Sequence, residues 1–298
     1  MSDIRICVPC KNMLGEGPIW DAEEQRLYWV DGLEGKLLSC SAYGADVRQW
    51  ALPAEIGSFA LRKSGGAIVA LETGLHLFDF KSGALEFVAN PEARKDHVRL
   101  NDGKVDSKGR FIVGSLDMMA FAPEKPKGRG VLYRVDTDLS VHALFGGIAC
   151  SNGPCWSPDE KTFYFTDSFD DAIYAFDWDE ARGVPSNRRL FVQCEPFHIP
   201  DGATIDAEGF YWVAMNGALS GAAEVRRYAP DGTLDRVIHM PTARLASLTF
   251  GGPELDILYV TTLIGNQVKP ITVGPLDGHL FSVHGLGVRG LPSRRFEG

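Results

Sequence analysis

No stretch of this 298-residue sequence approaches the roughly 20 consecutive apolar residues that a membrane-spanning helix needs. No segment sustains the 3.6-residue apolar period of an amphipathic helix. Positive charge is in deficit, with 30 Lys and Arg against 39 Asp and Glu, for a net charge of −9. That balance argues against nucleic acid and anionic membrane as partners. The six cysteines form no disulfide framework in a chain of this size, and Cys7-x-x-Cys10 has no second pair or His partners to make a zinc site. They read as ordinary thiols of a reducing compartment. The opening "MSDIRICVPCKN" places an acid and a base early and has no apolar core, so a cytoplasmic location is expected. The Gly-rich stretches "NMLGEGP" and "FGGPELD" lack GxGxxG or P-loop context. No GxSxG and no Cys/His pairing points to a covalent nucleophile.

Present instead is a repeat. Apolar, aromatic and β-branched runs recur as "LYWVD" at 27, "AIVAL" at 67, "FIVGS" at 111, "FYFTD" at 163, "FYWVA" at 210 and "LYVTT" at 258. A shorter apolar run and a polar turn precede each, and a further strand follows most of them. Connections carry Gly, Pro, Asp or Asn. Several strands per unit at a period of about 40–50 residues is the signature of a β-propeller. The expected fold is therefore all-β, a six-bladed β-propeller with four-stranded blades in a single domain over 1–298. Blade six has three strands near 246–250, 257–262 and 278–284, and "DIRICVP" at 3–9 is placed to supply the fourth and close the ring.

Aligning the units on Trp20, Leu61, Val105, Trp156, Ile205 and Phe250 brings Glu16, Gly57, Asn101, Asn152, Asp201 and Ala246 to one equivalent position. The first strand of each propeller blade lines the central channel, so these residues form a ring at one depth. Asn and Asp before Gly are also plain turn chemistry, but Glu16 is no turn specialist. Two carboxylates converging on a channel repel unless a cation or proton neutralises them. A divalent metal site follows, and oxygen donors suit Ca²⁺, Mg²⁺ or Mn²⁺. So few protein ligands leave positions for water or substrate.

Around that ring, Arg99 stands two residues before Asn101. It is either a guanidinium fork for hydroxyls or a carboxylate, or a solvated surface Arg. Asp117 ends the second strand of the same blade and returns to the same end of the channel, as Asp31 and Asp167 do in blades one and four. The expected role of those two is to cap turns.

The motifs "LGEGPIWD", "RLNDGKVDSKGRF", "SNGPCWSPDEKTFYFTDS", "IPDGATIDAEGFYWVA" and "FGGPELDILYVTT" resemble the regucalcin, gluconolactonase and luciferin-regenerating-enzyme family over almost the whole chain. The resemblance implies a six-bladed propeller. It implies one divalent metal (Ca, Zn or Mn) held by Glu16, Asn152 and Asp201, with Arg99 and Asn101 contacting a sugar-derived substrate. Members of the family hydrolyse aldonolactones. In regucalcin-like members a Glu two residues beyond the position of Asp117 binds sugar hydroxyls, and here that position is Met119. Either Asp117 takes over, or the substrate differs at that hydroxyl.

The expected function is divalent-metal-dependent hydrolysis of a sugar lactone. Asp201 is then ligand and general base, and Arg99, Asn101 and Asp117 bind the substrate. A broader esterase or phosphotriesterase, or a non-catalytic calcium-binding regulator, is the alternative. No obligatory protein partner is expected.

Overall fold

The computed structural model describes residues 3–121, 128–196, 198–217, 221–265 and 273–298. Their strands form six four-stranded antiparallel sheets, and the structure is the expected six-bladed propeller. Blade one comprises β2 (Gly15–Asp21), β3 (Arg26–Asp31), β4 (Lys36–Ser41) and β5 (Arg48–Ala51). Blades two to five begin with β6 (Ile56–Leu61), β10 (Val98–Val105), β14 (Ser151–Trp156) and β18 (Ile199–Ile205), each followed in order by three further strands. Blade six runs β22 (Leu245–Gly251), β23 (Ile257–Thr262), β24 (Leu280–His284), and its outermost strand is β1 (Asp3–Val8). Asp3 pairs with His284 and Ile6 with Phe281, so the N-terminal strand closes the ring as the repeat implied. Two short 3₁₀ turns, Met118–Phe121 and Ser168–Asp170, are the helical elements among the described residues.

Burial explains the sequence pattern. The second strand of a blade is covered on both faces by its neighbours, so β3, β7 (Ala67–Leu71) and β11 (Phe111–Asp117) are buried throughout and read as continuous apolar runs. The outermost strands, such as β5 and β17 (Val184–Gln193), alternate poorly and face solvent. Each of the six inter-blade seams holds its own apolar cluster. Tyr28 and Val30 of blade one, for example, pack against Phe59 and Val69 of blade two. Trp20 and Trp29 of blade one pack against Tyr259 of blade six.

The chain beyond β24 was unread in the sequence and has a definite job. Residues 285–298 run as a strap across the end of the channel remote from the ring position, touching the turn between the first two strands of every blade. Gly290 N donates to Leu255 O of blade six at 2.8 Å, and Ala207 N of blade five donates to Arg289 O at 2.8 Å. Arg294 pairs with Glu160 of blade four and Arg295 with Asp21 of blade one. Phe296 N donates to Leu61 O of blade two at 2.8 Å, and Glu297 N to Gly109 O of blade three at 3.0 Å. Gly290 has to be glycine: a Cβ there would lie 2.0 Å from Phe250 Cβ. Phe296 is fully buried between blades two and three and pins the strap's end. A cavity of about 100 Å³ remains inside the channel, floored by Leu291, Pro292, Ser293 and Arg294.

Candidate functional site

All six innermost strands slip register at the same place. The slips fall between Glu16 and Ile19, Ile56 and Ser58, Leu100 and Gly103, Asn152 and Cys155, Pro200 and Ala203, and Leu245 and Leu248. A bulge of this kind bends the strand and re-aims one side chain out of the ladder. Every ring position named from the sequence therefore sits at or inside a bulge. Gly17 and Gly153 follow Glu16 and Asn152 with φ of +52° and +57°, a conformation that favours glycine, which is why the Glu-Gly and Asn-Gly pairs recur. The Asn-Gly and Asp-Gly phrases belong to bulges on the channel wall rather than to hairpin turns.

The structure joins Arg99, Asn101 and Asn152 in one hydrogen-bonded chain. Arg99 Nη1 donates to Asn101 Oδ1 at 3.0 Å. Asn101 Nδ2 donates to Ser151 O at 2.9 Å and to Asn152 Oδ1 at 3.1 Å. Asn152 Nδ2 in turn donates to Ser168 Oγ at 2.8 Å, and Ser168 Oγ to Pro200 O at 2.7 Å, next to Asp201. These bonds assign both amides: Asn152 turns its oxygen inward and its nitrogen toward the wall. Arg99 is buried, with Nε 3.5 Å from Glu55 Oε2, so it is no solvated surface arginine. Gly57 lets blade two approach, since a Cβ there would lie 2.4 Å from Leu100 O. Ser58 Oγ uses that approach to donate to Asn101 O at 2.5 Å.

Glu16 and Asp201 are half-buried, and the charge of Asp201 acts on Glu16. Burial, then the charges of Asp201 and Asp102, push the Glu16 carboxyl well above the usual carboxylate range. Burial, then Asp102, does the same to Asp201. Among the described residues, Glu16 Oε2 accepts a single 3.2 Å bond, from its neighbour Gly17 N. Asp201 Oδ1 is buried with no hydrogen-bond partner among the described residues. Buried polar atoms in native structures are normally satisfied, and a cation would satisfy this orphaned carboxylate oxygen and offset the charge of the raised Glu16 carboxyl near it. The donor set of Glu16, Asn152 and Asp201 fits an oxygen-preferring divalent metal. No three His, Cys, Asp or Glu gather in metal-holding geometry among the described residues; one of the three donors here is an amide.

Asp102 was read only as part of an Asn-Asp-Gly turn, and the structure gives it a larger place. It is buried, and its carboxylate accepts from Gly103 N at 2.8 Å and from Gly153 N of the next blade at 2.9 Å. It thus ties the bulges of blades three and four together and adds a third negative charge to the channel. Burial raises its pKa, against the pull of Lys104. The signal available in the sequence was its position beside Asn101, on a strand whose bulge exposes two successive residues.

Asp117 is placed differently from Arg99 and Asn101. It is fully buried and accepts from Met119 N at 3.0 Å, from Arg129 Nε at 2.8 Å and from Arg129 Nη2 at 2.8 Å. The Arg129 guanidinium holds its carboxyl below the ordinary range. Its oxygens are committed to Arg129, which is half-exposed, as is Met119. Asp31 and Asp167 do cap their turns. Asp31 accepts from Met13 N and Leu14 N, and Asp167 from Ala149 N and Cys150 N, each fixing the chain just before an innermost strand.

Residues 14–264 match the family defined by the SMP-30/Gluconolactonase/LRE-like region. The chain is similar to regucalcin of Gallus gallus, with 34% identity over 302 residues spanning all of both chains. It is 35% identical over 274 residues to 6-deoxy-6-sulfogluconolactonase of Pseudomonas putida, covering 91% of each. A calcium-binding regucalcin of Agrobacterium tumefaciens superposes with a TM-score of 0.88 at 27% identity, over 99% of this chain and 97% of the other. Fold and these matches agree, and the chain belongs to the SMP-30/gluconolactonase/LRE-like family.

Proposed function

We propose that the protein is a divalent-metal-dependent lactonase that opens a sugar lactone to the free acid. The observation that carries this is the unpartnered Asp201 oxygen, set beside Glu16 and the inward Asn152 amide at the end of the Arg99–Asn101 chain. Glu16, Asn152 and Asp201 would hold the ion, with calcium, zinc or manganese as the candidates. Once bound, a divalent cation supplies Lewis-acid polarisation of a carbonyl and stabilises the oxyanion formed on addition of water. The remaining work falls to side chains. Asp201 takes a proton from the attacking water. Arg99 donates to ring oxygens or hydroxyls, the Asn101 amide oxygen accepts from a hydroxyl, and together they fix the lactone against that water. The ring carbon–oxygen bond then breaks, the departing hydroxyl regains a proton, and the sugar acid leaves. Asp117 contributes through Arg129, whose fork it holds at the rim.

Metal-stripped protein, given back Ca²⁺, Zn²⁺, Mn²⁺ or Mg²⁺ in turn, is expected to release acid from at least one aldono-1,4- or 1,5-lactone above the spontaneous rate. Turnover confined to aryl esters or phosphotriesters would replace this reading with a broader esterase. Metal binding with no turnover of any of them would leave a calcium-binding protein.

A further inference from the structure

Blade three gives the candidate metal set no donor, yet it grips two of the strands that carry one. Asp102 and Lys104 flank Gly103 on β10. Asp102 Oδ2 accepts from Gly153 N at 2.9 Å, next to Asn152 on β14 of blade four. Lys104 Nζ skips that blade and donates to Ala203 O at 2.8 Å, on the same β18 of blade five as Asp201. Both contacts land where the register slips, between Asn152 and Cys155 and between Pro200 and Ala203. A bulge leaves its extra residue without a ladder partner, so its aim depends on what holds it from outside. The two gripped bulges also touch each other. A Cβ on Gly153 would lie 2.9 Å from Ala203 Cβ and 3.1 Å from Asp201 O.

We propose that Asp102 and Lys104 are positioning residues that aim Asn152 and Asp201 at the ion, making blade three the frame of the metal site. The proposal rests on the reading of Glu16, Asn152 and Asp201 as the donors. Neither strut is a donor itself. Asp102 is buried and commits its oxygens to Gly153 N and, at 2.8 Å, to Gly103 N. Lys104 is a half-buried cation with no second hydrogen-bond partner among the described residues. Both line the channel cavity, as does Gly17 beside Glu16. Their opposite charges separate position from electrostatics. Removing Asp102 takes a negative charge from the neighbourhood of the ion, and removing Lys104 takes a positive one. Charge alone would make the first loss weaken binding and the second tighten it. Position makes both weaken it.

Calorimetric titration of the stripped whole chain with Ca²⁺ and Mn²⁺ compares the parent with Asp102→Asn, Lys104→Met and the double variant. Each single change is expected to weaken binding about tenfold and the pair about a hundredfold, as for other groups that orient metal ligands. The pair leaves the net charge unchanged, so charge alone predicts parent-like binding there. Phe296→Ala, which loosens the fold away from the bulges, should bind as the parent does. Melting in chelator checks that each variant is folded, and Lys104→Met decides alone if Asp102→Asn is not. Tighter or unchanged binding in Lys104→Met, unchanged binding in Asp102→Asn, parent-like binding in the pair, or an equal loss in Phe296→Ala would each overturn the proposal. Binding is read without turnover. A protein that holds the ion and opens no lactone would sink the lactonase reading and leave this test decisive, whereas a parent that binds neither ion would sink both.

Discussion

The two ends of the channel treat charge in opposite ways. At the strap end the ionic groups are matched: Arg294 with Glu160, Arg295 with Asp21, Lys63 with Glu297. The backbone of 289–297 finds partners on four blades, and the Arg294 and Arg295 side chains reach the other two. At the ring end, Glu16, Asp102 and Asp201 converge with raised pKa values, and one carboxylate oxygen has no partner among the described residues. The first end is built for stability, and the like charges facing one another at the second are where the proposed chemistry belongs.

The largest effect should come from removing the unpaired carboxylate. Asp201→Ala is expected to lower lactone turnover by roughly 10³–10⁴-fold, about 4–5.5 kcal/mol of barrier, because ligand and base are lost together. Its melting temperature in chelator should not fall below that of the parent, since a buried like charge has gone. The matching break at the other end is Phe296→Ala. It should cost about 3 kcal/mol of stability, read by denaturant unfolding, through the cavity left between blades two and three. Turnover below the unfolding transition should stay unchanged. If Phe296→Ala altered kcat while leaving stability intact, the division of labour would be wrong.

A smaller change is expected at Asn101, whose amide joins Arg99 to Asn152. Asn101→Ala should raise KM about tenfold, roughly 1.4 kcal/mol, with a lesser loss in kcat. The pH dependence of the metal-free protein sharpens the contrast further. Glu16, Asp102 and Asp201 have folded pKa values above their unfolded ones, so the folded chain holds more protons just above the usual carboxylate range. Their contribution favours folding at acid pH and is lost as pH rises through the raised values. Asp117, held low by Arg129, works in the other direction, losing its contribution as pH falls. Thermal melts of stripped protein are expected to show stability declining, relative to Asp201→Asn, as pH rises above the ordinary carboxylate range, with added metal erasing the difference. The least effect belongs to Lys63→Ala at the strap. Its exposed ion pair with Glu297 should be worth under about 0.5 kcal/mol.

How much of this was legible in the sequence differs between the same two ends. The blades and the ring position could be read because each blade repeats one pattern, so equivalent residues fall into register without knowing any contact. Glu16 stood out because glutamate has no turn chemistry to explain it. Asp102 was hidden because Asn-Asp-Gly has a complete local explanation, and only the bulge shows that two successive residues serve the channel. The commitment of Asp117 to Arg129 was equally hidden, since that pair meets through tertiary approach with no periodic signal. The strap was illegible for a related reason. "LGVRGLPSRRFEG" makes its bonds one residue at a time to six different turns, and so carries neither a strand nor a helix period.

The central claim is that the converging carboxylates exist to hold one divalent cation, and calorimetric titration of stripped protein with Ca²⁺ and Mn²⁺ tests it most directly. The account predicts one ion per chain, bound more weakly as pH falls into the range where the raised carboxyls hold their protons, and binding abolished in Asp201→Asn. No binding of either ion, or binding of equal strength in Asp201→Asn, would contradict it.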